Sequence, residues 1–344
     1  MSYKDNDPYL QFTGKIDPLS EIRNAGIVTN GRVYWVKSPT DADYVTLQDQ
    51  VGRDRMGTGV NAVLTPMRND RNDYALVTPT DSGTSYVVGT AIDVNKRRVH
   101  IVGVGATNSR TNKPTFEGYV AANGIDTEMM FVTSEGAEVR GIKLLGTSGT
   151  HLNGTMTSLL RIGTSSSGTP HGASFVNVDV ESTQAAAANG TADVVTISGN
   201  VATGIRGLKF EACWIGNWNW APTNGVVNMS GTAGPTRPEF ADTTFVIDAQ
   251  ATTDVIVTSG TGVMEYSLYD RCRFLNVEAG TAPASAIAGA SLADNPILLD
   301  HCFHLNVTQA GTDTEVFKAP VASGTSTVVR DYGIAVGTAA LVPV

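Results

Sequence analysis

Short apolar runs separated by Gly, Ser, Thr and Asn dominate the chain from Tyr74 onward and are typical of short β-strands. Ahead of them, residues 33–36 (VYWV) predict one further strand. A short helix that covers the open end of a sheet stack is predicted from apolar residues at helical spacing: Val60, Val63, Leu64 and Met67. Pro66 is unsuited to a helix interior and limits its length.

A phrase of six residues recurs in the second half of the chain, at residues 194–199 (VVTISG), 226–231 (VVNMSG) and 255–260 (VIVTSG). The terminal glycines of the phrase are 32 and then 29 residues apart. Gly289, in 286–289 (AIAG), follows after another 29. The spacing indicates an internal repeat of near 30 residues.

A second phrase keeps the same period and carries a cysteine: FEACW at 210–214, YDRCR at 269–273 and LDHCF at 299–303. The cysteines are 59 and 30 residues apart, which is two periods and one. Residues 242–245 (DTTF) fill the vacant position, and 331–334 (DYGI) continue the series. Earlier, RGIKL at 140–144 recurs as RGLKF at 206–210. Because two independent phrases keep the same period, the pattern favours an internal repeat over chance similarity.

A repeat of this length that holds two or three short strands and no helix fits one coil of a parallel β-helix. Each coil leaves strand edges unpaired, so stability requires stacking on neighbours about 4.8 Å away. The sequence therefore predicts an all-β fold, a right-handed parallel β-helix with about eight or nine coils. We divide the chain into an N-terminal arm and cap segment (1–57), the β-helix (58–337) and a C-terminal tail (338–344).

Composition and charge limit the classes of partner that the chain is expected to bind. The chain of 344 residues carries 24 Lys and Arg against 33 Asp and Glu, a formal net charge of -9, which opposes binding to a phosphate backbone. No apolar run is long enough to span a membrane, and the polar N-terminal residues predict no secretion signal. Three widely spaced cysteines cannot form a closed disulfide framework, which favours folding in a reducing cytoplasm. Nucleic acid and membrane are not predicted as partners.

Candidate chemistry centres on acidic residues that recur at one point of the repeat: Glu211, Asp242, Asp270, Asp300 and Asp331. Carboxylates on successive coils have a separation suited to glycoside hydrolysis or calcium-assisted lyase chemistry. Each of them also begins a strand, where Asp commonly bonds backbone N–H groups, and turn capping is the preferred interpretation. Arg271 beside Asp270 could neutralise the column.

Other candidate sites are interpreted structurally. Asp179 and Glu181 alternate as exposed residues of a strand should. His301 and His304 flank Cys302, but neighbouring strand residues point to opposite faces, so no metal site is predicted. The three cysteines are predicted to form part of an inward stack. No cofactor motif, P-loop or nucleophile elbow is present, so no cofactor is predicted.

Contacts with partners are predicted at two places. The polar arm of residues 1 to about 30 carries the interface candidates Tyr9, Phe12 and Ile16. The loop after Trp214 carries Trp218 and Trp220, and three tryptophans within seven residues mark either an oligomer contact or a platform for sugar rings. The contact is the favoured interpretation.

The order of polar arm, capping helix, strand 74–79 (YALVTP) and strand 99–105 (VHIVGVG) resembles the beginning of the pectate-lyase-like right-handed β-helix superfamily, over residues 58 to 337. The Asp pairs and Arg of the pectate lyase families have no counterpart here. Low charge, Thr/Gly/Asn-rich coils and the arm are similar to those of bacteriophage virion proteins, either head decoration proteins or tailspikes. The resemblance implies the fold; a shared fold does not fix a function.

The leading expectation is a non-enzymatic virion structural protein, a head decoration or cement protein that binds the major capsid protein as a homotrimer. The alternative is a tailspike-type β-helix that binds or cleaves a glycan, with Asp242, Asp270 and Asp300 as carboxylates and the Trp218/Trp220 loop as the sugar platform. A purely adhesive glycan-binding β-helix is a third hypothesis. The short N-terminal segment leaves little room for the head-binding domain of a tailspike, which favours the decoration role.

Overall fold

The computed structural model describes the chain from residue 31 to residue 305. Within that range it leaves out residues 82, 106–111, 119–127, 147–157, 165–168, 183–192, 200–203, 218–224, 232–234, 248–254, 259–266, 277–286 and 290–296. The predicted arm, Asp331, the last predicted coils and the tail 338–344 lie outside the described residues.

Three long sheets, in which every strand pair is parallel, form the described body. The first sheet contains β1 (Val33–Val36), β2 (Met56–Gly57), β3 (Asp73–Val77), β6 (Val99–Gly103), β9 (Glu138–Arg140), β12 (Ser174–Val176), β16 (Lys209–Glu211), β20 (Glu239–Ala241), β23 (Ser267–Asp270) and β26 (Ile297–Asp300). The second contains β4 (Tyr86–Val88), β7 (Thr115–Gly118), β10 (Lys143–Gly146), β13 (Asp179–Ser182), β17 (Trp214–Asn217), β21 (Thr244–Ile247), β24 (Arg273–Asn276) and β27 (Phe303–Leu305). The third contains β5 (Ile92–Val94), β8 (Glu128–Val132), β11 (Ser158–Ile162), β14 (Asp193–Gly199), β18 (Val227–Gly231), β22 (Ile256–Thr258) and β25 (Ile287–Gly289).

The chain visits the first, second and third sheets in turn, so three successive strands make one coil. Seven coils are complete, from β3–β5 to β23–β25, and β26 and β27 begin the next. A small fourth sheet pairs β15 (Ile205–Arg206) with β19 (Pro235–Thr236). The predicted parallel β-helix is confirmed. Its first sheet already includes β1 and β2, upstream of residue 58.

The two helices lie at the N-terminal end of the stack. The predicted short helix, α2 (Val60–Leu64), is confirmed; it ends before Pro66, and its apolar face is buried. Helix α1 (Tyr44–Val51) was not predicted. With the 3₁₀ turn Arg53–Arg55, it follows β1 and precedes β2. Within the described segments, no helix is long and apolar enough to cross a membrane.

Helix α1 covers the outer face of the first sheet, opposite the interior of the coil. Leu47 of the helix packs in a second apolar cluster with Trp35, Leu76 and Val102, which are outward residues of successive strands. These outward positions are buried because the helix shields them from water. The first sheet is therefore apolar on both faces at this end.

Aromatic rings stack along the interior of the first sheet. Phe175, Phe210, Phe240 and Tyr269 occupy one register column. Their successive ring centroids are 4.7, 5.0 and 5.1 Å apart, with interplanar angles of 14, 8 and 3°. The spacing of the coils imposes this stacking, because parallel strands lie about 4.8 Å apart.

The cysteines form part of a second interior column, as predicted. Register aligns Cys213, Thr243, Cys272 and Cys302, the residues that precede β17, β21, β24 and β27. All four are buried. The thiols are free, and burial raises the pKa of Cys213 to about 12. The Cys213 thiol is therefore protonated at neutral pH, which suits a packing group rather than a metal ligand or a nucleophile.

A bulge repeated on successive coils explains why the VVTISG phrase begins with two apolar residues. The N–H groups of Val194 and Val195 both donate to the carbonyl of Val226, at 3.1 and 3.0 Å. Those of Val226 and Val227 in turn both donate to the carbonyl of Val255, at 2.8 and 3.1 Å. All five side chains are buried. Two consecutive residues can enter the core because the bulge bends the strand between them.

The glycine alignment within this phrase is confirmed in one place and wrong in another. Gly199 pairs with Gly231, as the repeat predicts. Gly289 stands opposite Thr258 rather than in the column of Gly260. The coil between β22 and β25, which includes β23 and β24, is therefore two residues longer than the preceding repeat, and a shift of two keeps each side chain on its original face.

The corner between the first and second sheets is one residue in the left-handed conformation, repeated down the stack. Its φ values lie between 50 and 64° at Gly141, Asn177, Ala212, Asp242, Arg271 and His301. The N–H groups of the first five corner residues, from Gly141 to Arg271, each donate to a carbonyl of the next coil, at 2.7 to 3.0 Å. The turn bonds therefore continue the ladder around the corner, at the cost of backbone strain wherever the residue is not glycine.

The corner conformation predicts that Ala212→Gly raises the free energy of unfolding by about 0.5–1 kcal/mol, because glycine adopts positive φ without steric cost. The exposed methyl group of Ala212 contributes little packing. Ala241→Gly is the control, since Ala241 is a buried strand residue and should lose stability. Denaturant titration of both variants measures the difference, and equal losses would contradict the proposed strain.

Candidate functional site

The predicted carboxylate column divides into two columns in the structure. Glu211, Asp270 and Asp300 share one register position at the end of strands in the first sheet, with Ala241 between the first two. Asp242 lies one residue later, at the left-handed corner position. The prediction that it aligns with the others is wrong, because the pairing places Asp270 opposite Ala241.

Arg271 holds the acidic residues of this corner together. Its Nε and Nη2 each donate to one carboxylate oxygen of Asp242 at 2.8 Å, and its Nη1 lies 2.7 Å from Asp270. Nδ1 of His301 lies 2.5 Å from Oδ1 of Asp300. About half of the Asp242, Arg271 and Asp300 side chains is exposed. The result is an exposed ladder of polar contacts, in which the single guanidinium of Arg271 pairs with two carboxylates, those of Asp242 and Asp270.

The electrostatics of the ladder limit its acid–base chemistry. Hydrogen bonds from Arg271 hold the pKa of the Asp242 carboxyl below its usual range, and burial opposes this only weakly. Glycoside hydrolysis needs one carboxylic acid that stays protonated near neutral pH. Asp242 in this arrangement is an ionised partner for a guanidinium and is unsuited to be that acid.

We expect Arg271→Gln to raise the pKa of Asp242 toward the value of an isolated aspartate, because the charge-assisted hydrogen bonds are lost. Carboxyl carbon NMR titration of the folded protein measures this pKa directly. Arg53→Gln, at an exposed residue of the 3₁₀ turn, is the control and should leave it unchanged. An unchanged Asp242 pKa in Arg271→Gln would show that the guanidinium does not control this carboxylate.

Asp179 and Glu181 contradict the prediction of an exposed strand face. Both are buried in β13, at 1% and 3% exposure. Asp179 lies 2.7 Å from Nζ of Lys113, which is also buried, and Glu181 lies 2.8 Å from Nζ of Lys143. The alternation of the strand was correct, but ionic partners on earlier coils, Lys143 one coil and Lys113 two coils before β13, allow the outward carboxylates to be buried.

Asp193 is a buried carboxyl that sequence reasoning missed. It accepts hydrogen bonds from Thr196 Oγ1 at 3.1 Å and Asn228 Nδ2 at 2.9 Å, while its Oδ1 is buried without a hydrogen-bond partner among the described residues. Burial raises the pKa of Asp193 to about 7, and the two hydrogen bonds offset this only in part. Nothing in the local sequence, an Asp before an apolar run, marks such a residue.

The remaining predicted site residues are separated or not described. Cys302 is buried, whereas His301 at the left-handed corner is exposed, so the two neighbouring side chains do not converge. Across the described part of the chain, no three His, Cys, Asp or Glu side chains converge as metal ligands would. The interface candidates Tyr9, Phe12, Ile16, Trp218 and Trp220 lie outside the described residues. Trp214, in β17, is half-buried.

The described residues thus present an exposed ladder of charged side chains around Arg271, a buried carboxyl at Asp193 and a long stack of parallel strands. Comparison with models of known protein families and with curated proteins gives no match for this chain.

Proposed function

We propose that this protein is a non-enzymatic structural component of a bacteriophage virion, a head decoration protein that binds the major capsid protein as a homotrimer. It would assemble in the host cytoplasm and act in the virion. The observation that carries the proposal is the uninterrupted parallel stack, whose three sheets keep their register over seven coils. Such a stack gives a stiff body with long lateral faces, which suits a scaffold.

The side chains on the outside of the stack support a structural role. Carboxylates of the corner are engaged by Arg271, and Lys209 lies 3.0 Å from Glu211 and 3.7 Å from Glu239 on the first sheet. Paired charges leave the surface polar without a strong local field. The net charge of -9 favours a protein partner over a nucleic acid.

Binding to capsids tests the proposal. Purified protein is mixed with tailless heads that lack it, the heads are sedimented, and bound protein is quantified against capsid protein. We expect saturation at a fixed ratio with three copies per site. The full chain is compared with a chain that lacks residues 1–24, which should bind more weakly because the arm is lost. Failure of the full chain to sediment with heads at micromolar concentration would overturn the proposal.

A second candidate is glycan cleavage or binding, which the exposed cluster of Asp242, Asp270 and Asp300 favours. In this alternative the carboxylates act on a bacterial polysaccharide, and Trp218 and Trp220 stack on its sugar rings. Depolymerisation of surface polysaccharide by the wild-type protein, abolished in Asp270→Asn and retained in Asp93→Asn, would establish it. Asp93 is the control because it is an exposed carboxylate of β5, in the third sheet.

A further inference from the structure

Among the described residues, the turn of chain that begins with β1, ahead of the first complete coil, has no strand in the second sheet. After β1 the chain leaves the stack to form α1, the 3₁₀ turn and β2. Among the described residues, β4 consequently pairs only with β7 and is the terminal strand of its sheet. Helix α2 packs chiefly on β1, β2, β3 and β5. The position above β4, here called the vacant slot, therefore exposes a strand edge.

The corresponding edge of the third sheet is closed by a side chain. Asn61 of α2 donates from Nδ2 to the carbonyl of Ala91 at 2.8 Å and accepts at Oδ1 from the N–H of Asp93 at 3.2 Å. These are the bonds that another strand would make to β5. The side chain of Asn61 thus satisfies the edge of the third sheet at β5, whereas the edge of the second sheet at β4 is available for pairing.

The exposed edge carries backbone groups oriented toward the vacant slot. In the second sheet the N–H of Lys143 donates to the carbonyl of Pro114 in the preceding coil, at 2.9 Å. Leu145 follows two residues later with the same orientation, and the register places Val87 in its column. The direction of backbone groups repeats every second residue in a strand. The N–H and C=O of Val87 therefore point to the slot.

A half-open cavity of about 220 Å³ lies beside this edge. Its lining combines the apolar side chains of Val60, Val88, Ile92 and Phe116 with polar groups that include those of Thr58, Asn61 and Thr90. The outward side chain of Val87, at its rim, is 68% exposed. An unpaired strand edge next to a cavity with apolar side chains provides both the hydrogen bonds and the side-chain pocket that strand addition uses.

We propose that an extended segment of the N-terminal arm of a second copy adds as a strand beside β4, with residues 9–13 (YLQFT) in the vacant slot. In an extended chain Leu10 and Phe12 fall on one face, which suits the cavity, while Gln11 falls on the same outer face as Val87. This inference rests on the proposed function, since it specifies how the arm joins neighbouring subunits.

The position of this segment in the arm favours a second copy over the same chain. The described chain begins at Gly31, next to β1 at the same end of the stack. Residues 9–13 lie some twenty residues upstream of Gly31, a reach of about 60 Å when extended. The strands beside the slot span only about 10–20 Å. The residues that would cross to the slot of their own chain include the charged stretch 20–24 (SEIRN), which matches the apolar side chains of Val88 and Phe116 in the cavity less well than Leu10 and Phe12 do.

Disulfide trapping without capsids tests the inference. One differently tagged copy carries Gln11→Cys and the other Val87→Cys, and the mixture is oxidised; the native cysteines are buried and give little background. We expect a cross-linked dimer that contains both tags, at least tenfold above that formed with Val45→Cys. Val45, on α1, is the matched control because it is 64% exposed. A yield equal to that control, or none, would overturn the inference.

Two further measurements separate the alternatives. A chain with both Gln11→Cys and Val87→Cys, oxidised at low concentration, should stay largely reduced; an intramolecular cross-link would assign the slot to its own arm and overturn the second-copy assignment. Val87→Pro removes the N–H that faces the slot, and Val87→Lys keeps the backbone but adds a charge. Self-association measured by sedimentation should weaken at least tenfold in Val87→Pro and less in Val87→Lys. Because capsids are absent, failure here is independent of failure to bind heads.

Discussion

Replacing Phe240 with alanine is expected to lower the free energy of unfolding by about 3–5 kcal/mol. Phe240 is fully buried at the centre of the aromatic column, with Phe210 at 5.0 Å on one side and Tyr269 at 5.1 Å on the other. The cavity left by the ring cannot close, because the parallel ladders fix the spacing of adjacent coils. Unfolding in guanidinium, followed by circular dichroism, measures the loss.

Two variants show whether the loss arises from the column itself. Phe240→Leu fills most of the cavity and should cost about 1–1.5 kcal/mol. Phe131→Ala removes a half-buried ring from the outer face of the third sheet, where Arg161 lies 5.7 Å from its centroid, and should cost less than about 1 kcal/mol. If Phe240→Ala were no more destabilising than Phe131→Ala, the stacked rings would not be what couples the coils.

The repeated sequence phrases predicted the stack because a parallel β-helix places equivalent residues of successive coils in contact. The cysteine column follows from the spacing of Cys213, Cys272 and Cys302, and register confirms it. The same logic placed a capping helix at Val60, because a stack of open edges requires a cover. The length of the repeat and the alignment of equivalent residues on successive coils could therefore be predicted from the sequence alone.

Features that depend on contacts between coils could not be predicted from the sequence. Asp179 follows the alternation of an outward residue, yet it is buried because Lys113, two coils earlier, pairs with it. Asp242 matches the acidic phrase, but the strand pairing places Ala241, and not Asp242, opposite Asp270. Asp242 therefore takes the left-handed corner position that follows the strand. Small register shifts and ion pairs between distant residues leave no local pattern.

Helix α1 was missed for a different reason. Its sequence, YVTLQDQV, buries only Leu47, and no side chain caps its N-terminus. The signals that announce a helix, an apolar stripe and a capping residue, are therefore weak. The helix is stabilised by the outward apolar residues of the first sheet, such as Trp35 and Leu76, whose alternation gave no sign that a helix covers them.

Asp193→Asn is expected to raise the free energy of unfolding at pH 8 by about 2–4 kcal/mol and to leave it nearly unchanged at pH 4. Burial raises the pKa of Asp193 to about 7 in the folded protein, whereas an unfolded aspartate titrates near 3.9. Three pKa units correspond to about 4 kcal/mol. The cost of burying the new amide N–H groups takes part of this gain.

The sign follows from which state binds more protons. Between about pH 4 and pH 7 the folded protein holds a proton on Asp193 that the unfolded chain has released. The stability from this residue is therefore complete below about pH 4, is lost as pH rises through 7, and stays constant above. Denaturant titrations of wild type and variant across pH 4–8 should show curves that coincide at low pH and separate toward pH 8.

Asp179→Asn provides the opposite case in the same fold. Asp179 is as deeply buried as Asp193, but its carboxylate lies 2.7 Å from the buried ammonium of Lys113, whereas Asp193 is held by the neutral groups of Thr196 and Asn228. Removing the charge of Asp179 leaves Lys113 uncompensated and should cost about 3–5 kcal/mol at pH 7. Burial alone would make both substitutions stabilising. Opposite signs are expected because the amide at position 179 would face the buried ammonium of Lys113, whereas the amide at position 193 would face only the neutral groups of Thr196 and Asn228.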